Sequence, residues 1–66
     1  MQVTVNGEVR DAASGATLTA LLASLGIDPR KVAVERNREI VPKSTFERVL
    51  VEDGDAFEIV QFVGGG

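Results

Sequence analysis

The opening stretch MQVTVNGEVRDA constrains this chain more than any other. Met1, Val3 and Val5 fall on one side of an extended backbone, and Gln2 and Thr4 fall on the other. That period of two marks a half-buried strand. Asn6-Gly7 follows, a pair in which both residues tolerate positive φ, so the chain turns back in a two-residue hairpin. Val9 carries the returning strand toward Ala12. A hairpin with one apolar face must have that face covered. In a chain of 66 residues without cysteine, packing alone has to supply the cover.

The cover is the next segment. In SGATLTALLASLGIDP the period changes, and Leu18, Leu21, Leu22 and Leu25 share one helical face. Thr17 is suited to cap the helix start, Gly26 suits the left-handed position after its end, and Pro29 blocks continuation. The spacing predicts a helix from about Leu18 to Leu25, packed on the hairpin. KVAVERNREIVP then reads as a strand with Val32 and Val34 inward, a turn at Asn37-Arg38 and a short return strand over Glu39 to Val41, ended by Pro42. In KSTFERVLVEDGD, Ser44 is expected to cap a single helical turn that buries Phe46, and Leu50 is expected to point inward. Asp53-Gly54-Asp55 is a tight turn, and the last strand runs from about Ala56 to Phe62. The order predicts an α+β domain, with one mixed sheet and one main helix packed on one of its faces. Placing the first and last strands side by side, parallel, in the sheet centre gives the β-grasp arrangement.

Composition narrows the chemistry. The chain has no Cys, His, Tyr or Trp. It therefore lacks a thiolate nucleophile, zinc–cysteine ligands and the side chain best suited to proton transfer near neutral pH. The usual nucleophile–base pairs cannot be assembled, so the reading is of a protein that is not an enzyme and holds neither metal nor cofactor. The net charge of −3 is uneven, with basic residues concentrated between Arg30 and Arg48 and an acidic stretch from Glu52 to Glu58. An acidic chain almost without aromatics is a poor nucleic-acid binder. No apolar run approaches the ~20 residues of a membrane span. A cytoplasmic protein is the expectation.

Parity within the last strand separates core from surface. Phe57 and Ile59 share one side; Glu58, Val60 and Phe62 share the other. Burying Glu58 is costly, so its side is the open one. Val60 and Phe62 then either form a docking patch or lie under a neighbouring strand or loop. After Val63 come Gly64, Gly65 and Gly66. They read either as an inert end or as a working one. The working reading has a chemical logic: a carboxylate is unreactive until an ATP-dependent partner converts it to an acyl-adenylate. Residues without Cβ thread a narrow channel to such a site. With no thiol in the chain, cargo has to sit on that carboxylate or on Lys31 or Lys43.

The ordered segments VTVNGE, TLTALLASLG, VAVERNREIVPKSTFE and VEDGDAFEIV, ending in Gly65-Gly66, resemble the ubiquitin-like β-grasp sulfur carriers, specifically the ThiS family of thiamine biosynthesis, over essentially the whole chain. The resemblance implies a β-grasp domain over residues 1–63 and a flexible tail over residues 64–66. It implies that an E1-like adenylyltransferase, using ATP and magnesium, activates Gly66. A sulfur donor of the cysteine desulfurase type then makes the thiocarboxylate, and thiazole synthase accepts the sulfur. Gly64 and Gly65 would thread into the partner, and Val60, Phe62 and Glu58 would dock it. A carrier for molybdopterin or another thiocarboxylate pathway, and a ubiquitin-like modifier forming isopeptides through Gly66, share the fold and the tail chemistry.

Overall fold

The computed structural model describes residues 1–62. The expectations placed on Gly64, Gly65 and Gly66, and the boundary after residue 63, lie outside the described residues.

The hairpin forms as its alternation predicts. Strands β1 (Gln2–Val5) and β2 (Glu8–Asp11) pair antiparallel, with Thr4 opposite Val9 and Val5 opposite Glu8. Asn6 at φ 51° and Gly7 at φ 83° make the corner, a turn whose twist matches that of the flanking strands. Val3 and Val5 are buried. Helix α1 (Leu18–Ser24) starts where the Thr17 hydroxyl accepts the Ala20 N–H at 3.1 Å. It ends one residue earlier than predicted. Gly26, at φ 73°, donates to the Ala23 carbonyl at 3.0 Å and Ile27 donates to the Leu22 carbonyl at 2.9 Å. This pair of bonds closes a helix on a left-handed residue.

A 3₁₀ turn over Pro29–Lys31, capped by the Asp28 carboxylate, was not anticipated from the sequence. It leads into β3 (Val32–Arg36), which pairs antiparallel with β4 (Glu39–Ile40) through a corner at Asn37 and Arg38, with φ of 51° and 71°. The final strand β5 (Ala56–Gln61) enters between the two hairpins, parallel to β1 and antiparallel to β3. The sheet order is β2-β1-β5-β3-β4, which is the β-grasp arrangement. Leu18, Leu21 and Leu22 of α1 pack with Val3, Val34 and Phe57 in one apolar cluster.

Two expectations about residues 43–51 are corrected. Leu50 is 57% exposed, and the inward residue is its neighbour Val51. The reason is a pairing with a distant segment: Leu18 donates to the Val49 carbonyl and Val51 donates to the Ala16 carbonyl, both at 2.9 Å, and Thr17 faces Leu50 across the bridge. Alternation then sends Val49 and Val51 toward the core and Leu50 out. Ser44 does not cap. The turn spans Lys43–Thr45, with Pro42 in the cap position and no side-chain bond to it. Ser44 sits inside that turn, and the Thr45 hydroxyl donates to the Pro42 carbonyl at 2.7 Å. Phe46 is buried, as expected.

Urea unfolding distinguishes these positions. Leu22→Ala should cost about 2–5 kcal/mol, comparable with the entire stability of about 3–5 kcal/mol available to a domain of this size. Leu50→Ser should stay within about 0.5 kcal/mol of the parent.

Candidate functional site

Strand β5 carries Glu58 and Val60 and ends at Gln61, one residue earlier than predicted; Phe62 follows it directly. Phe57 is buried and Ile59 half-buried beneath α1, whereas Glu58 is exposed, Val60 is 65% exposed and Phe62 is 43% exposed. The register with β3 sets Ala33 beside Val60 and Glu35 beside Glu58. Glu35 also faces the exposed Ile40 on β4. The open side of the sheet thus presents Ile40, Val60 and Phe62 around two facing carboxylates. The structure leaves Val60 uncovered. Over Phe62 it places the Lys43 ammonium, 4.5 Å from the ring centroid, and Lys43 also donates to the Arg30 carbonyl at 3.1 Å. The Phe62 N–H bonds the Lys31 carbonyl at 2.8 Å. Glu58, Val60 and Phe62 therefore come together on one face, with Lys31 and Lys43 at the end nearest Phe62.

The strand is tied at its start by a buried acid that sequence reasoning assigned only to a turn. Asp55 is 6% exposed. Its carboxylate accepts the Glu52 N–H at 2.8 Å and the Asn37 amide at 3.3 Å, and pairs with Arg36 at 2.8 Å. Arg36 also donates to the Leu50 carbonyl at 3.1 Å and to Glu52 at 3.0 Å. Asn37 brackets the next residue: its side-chain oxygen accepts the Ala56 N–H at 3.0 Å, and its own N–H reaches the Ala56 carbonyl at 2.8 Å. On the opposite flank Asn6 plays a matching part. Its N–H bonds the Phe57 carbonyl at 2.8 Å, and its carboxamide accepts from Ile59 N–H at 2.7 Å and donates to Ile59 C=O at 3.2 Å. The signal for Asp55 was present in Val32-x-Val34-x-Arg36: an arginine in phase with two buried valines needs an inward acid to meet it.

Burial by itself would raise the Asp55 pKa. The Glu52 N–H, the Arg36 guanidinium and the Asn37 amide outweigh it and hold the carboxyl below its ordinary value. Asp28, on the surface, is lowered to about 2, first by the Arg30 side chain and then by the Arg30 N–H.

The architecture defines the class first: a ubiquitin-like β-grasp domain whose central strand is its last. The sequence model of the ThiS family matches residues 3–66, and the chain belongs to that family. It is 58% identical over 66 residues to a thiazole synthase of Paramagnetospirillum magneticum, covering all of this chain and 20% of that protein. The chain thus spans about a fifth of that relative's length. It is 48% identical over 50 residues to the sulfur carrier protein ThiS of Bacillus subtilis, covering 76% of each. A crystal structure of the thiamine biosynthesis protein ThiS from Geobacter metallireducens superposes with a TM-score of 0.85 at 38% identity, covering 100% of both chains. Among the described residues no helix is long and apolar enough to cross a membrane.

The Asp55 network predicts an acid limb in stability. A carboxyl whose folded pKa is depressed contributes fully above its unfolded value of about 3.9 and loses that contribution as the pH falls through the folded value. Thermal melts should therefore show Tm falling below about pH 4, and the fall should be shallower in Asp55→Asn, which has no carboxyl to protonate. Arg36→Met, which strands Asp55 without its ion-pair partner, should cost about 3–5 kcal/mol at neutral pH.

Proposed function

We propose that this chain is a sulfur carrier of thiamine biosynthesis that acts through Gly66. Supporting it most is the placement of the central strand: β5 is tied on both flanks, shows Val60 and Phe62 on the open face, and runs directly toward the glycines. Family membership over residues 3–66 supports the same reading. The chain carries the group and does not catalyse its transfer, in keeping with a sequence that holds neither Cys nor His.

The Gly66 carboxylate attacks the α-phosphorus of ATP on an E1-like adenylating partner, pyrophosphate leaves, and an acyl-adenylate forms. Magnesium and ATP belong to that partner; this chain holds no cofactor. The terminal sulfur of a desulfurase-type persulfide attacks the carbonyl and AMP leaves. A thiol then reduces the acyl disulfide, which releases the donor as a mixed disulfide and leaves a thiocarboxylate on Gly66. Thiazole synthase receives the sulfur, a reading supported by the thiazole synthase relative that carries a matching stretch within its own chain. Gly64 and Gly65, lacking Cβ, thread the tail into the partner. Val60 and Phe62, with Glu58 beside them, dock it. These steps take place in the cytoplasm.

Incubation with ATP, magnesium, an adenylating partner and a sulfur source should raise the intact mass by the replacement of one oxygen with sulfur, and deletion of Gly66 should abolish the gain. An unchanged mass, with the partner shown active on another carrier, sinks the proposal. Conjugates larger than the chain that vanish on deletion of Gly66 would identify a protein modifier instead. Val60→Asp should weaken binding to the adenylating partner at least about tenfold while changing stability by less than about 0.5 kcal/mol; titration calorimetry and urea unfolding read the two effects.

A further inference from the structure

Strand β1 is too short to flank β5 to its end. The hairpin turns at Asn6, so the ladder between them holds only Thr4 opposite Ala56 and Val5 opposite Phe57. Alternate residues of a strand direct their N–H and C=O to the same edge. The polar groups of Ile59 therefore face the side that β1 has already left. The Asn6 carboxamide takes both of them, accepting from Ile59 N–H at 2.7 Å and donating to Ile59 C=O at 3.2 Å. A carboxamide has the donor and acceptor of a peptide group, so this side chain stands in for the strand residue that β1 lacks. Beyond Ile59, the hydrogen bonds of the described backbone tie the strand only on the β3 side, through the pairing of Val60 with Ala33 and Gln61 with Val32 and through Phe62 N–H to the Lys31 carbonyl at 2.8 Å.

We propose that Asn6 is a positioning residue that holds the free edge of β5 at Ile59, and so sets how Val60 and Phe62 are offered to the adenylating partner. The inference rests on the carrier reading above. The residue type is closely specified. The backbone at Asn6 has φ 51°, which asparagine and glycine adopt more readily than other residues. Aspartate keeps the acceptor and loses the donor. Glycine keeps the turn and loses both bonds, which makes Asn6→Gly a clean probe. Asn37→Gly is the matched control: it has the same φ of 51° and also ties β5, but at Ala56, the end far from the glycines.

Adenylation kinetics of the carrier test the assignment. Asn6→Gly should raise KM for the carrier about five- to thirtyfold, the factor carried by the loss of one or two net hydrogen bonds, with kcat within about twofold. Asn6→Asp should fall between it and the parent. Asn37→Gly should lower Tm and leave KM within about twofold. Amide exchange supplies a readout that needs no partner: Ile59 should exchange faster relative to Val34 in Asn6→Gly. An unchanged KM in Asn6→Gly, or an equal rise in Asn37→Gly, overturns the proposal. A parent protein that the active partner never modifies overturns the carrier reading instead. The exchange measurement then decides the positioning role alone, and an unchanged Ile59-to-Val34 ratio overturns it.

Discussion

Strand β5 is the last in sequence and the middle one in space, and the rest of the molecule is arranged around that fact. Its neighbours β1 and β3 come from two separate hairpins that do not touch each other in the sheet order. A two-stranded hairpin is at best marginally stable by itself, so neither half stands until β5 joins them. The two corner asparagines serve both purposes. Asn6 and Asn37 each hold φ at 51° to turn a hairpin, and each spends its side chain on the backbone of β5. Turn formation and docking of the central strand are therefore functions of the same residues.

The Arg36–Asp55 pair reinforces a register that burial of one sheet face already specifies. A slip of one residue would turn Phe57 out and Glu58 in, and reverse every contact beneath α1. Asp55 opposes the slip because its bonds to Arg36 and Asn37 at the end of β3 close only in one alignment, while the local Glu52 N–H holds the carboxylate in place. A buried pair of this kind gains little over an apolar replacement, but leaving one member alone is costly.

What could be read from the sequence was local. The Asn6-Gly7 corner, the leucine face of α1 with its Thr17 and Gly26 ends, and the parity of Phe57 against Glu58 each depend on residues a few places apart. Leu50 was misread because its orientation is decided by Ala16–Leu18, a segment far away in sequence. Asp55 looked like a turn residue because Arg36, which makes it a core residue, belongs to another strand. The two asparagines were legible as corners and not as ties to β5 for the same reason. Of the candidate site, the open face of Glu58, Val60 and Phe62 followed from parity together with the cost of burying Glu58. The chemistry assigned to Gly66 rests on family likeness, to which the lack of a thiol or imidazole in the sequence adds.

The sheet's two outer strands are built against association. β2 is four residues long, exposed throughout, and carries Glu8, Arg10 and Asp11. β4 is only Glu39–Ile40, and Pro42, which has no N–H to offer, follows closely. Charges and brevity at an edge discourage a second sheet from adding to it. The free domain can therefore accumulate in a crowded cell without polymerising strand to strand, although one broad face of its sheet bears uncovered apolar side chains.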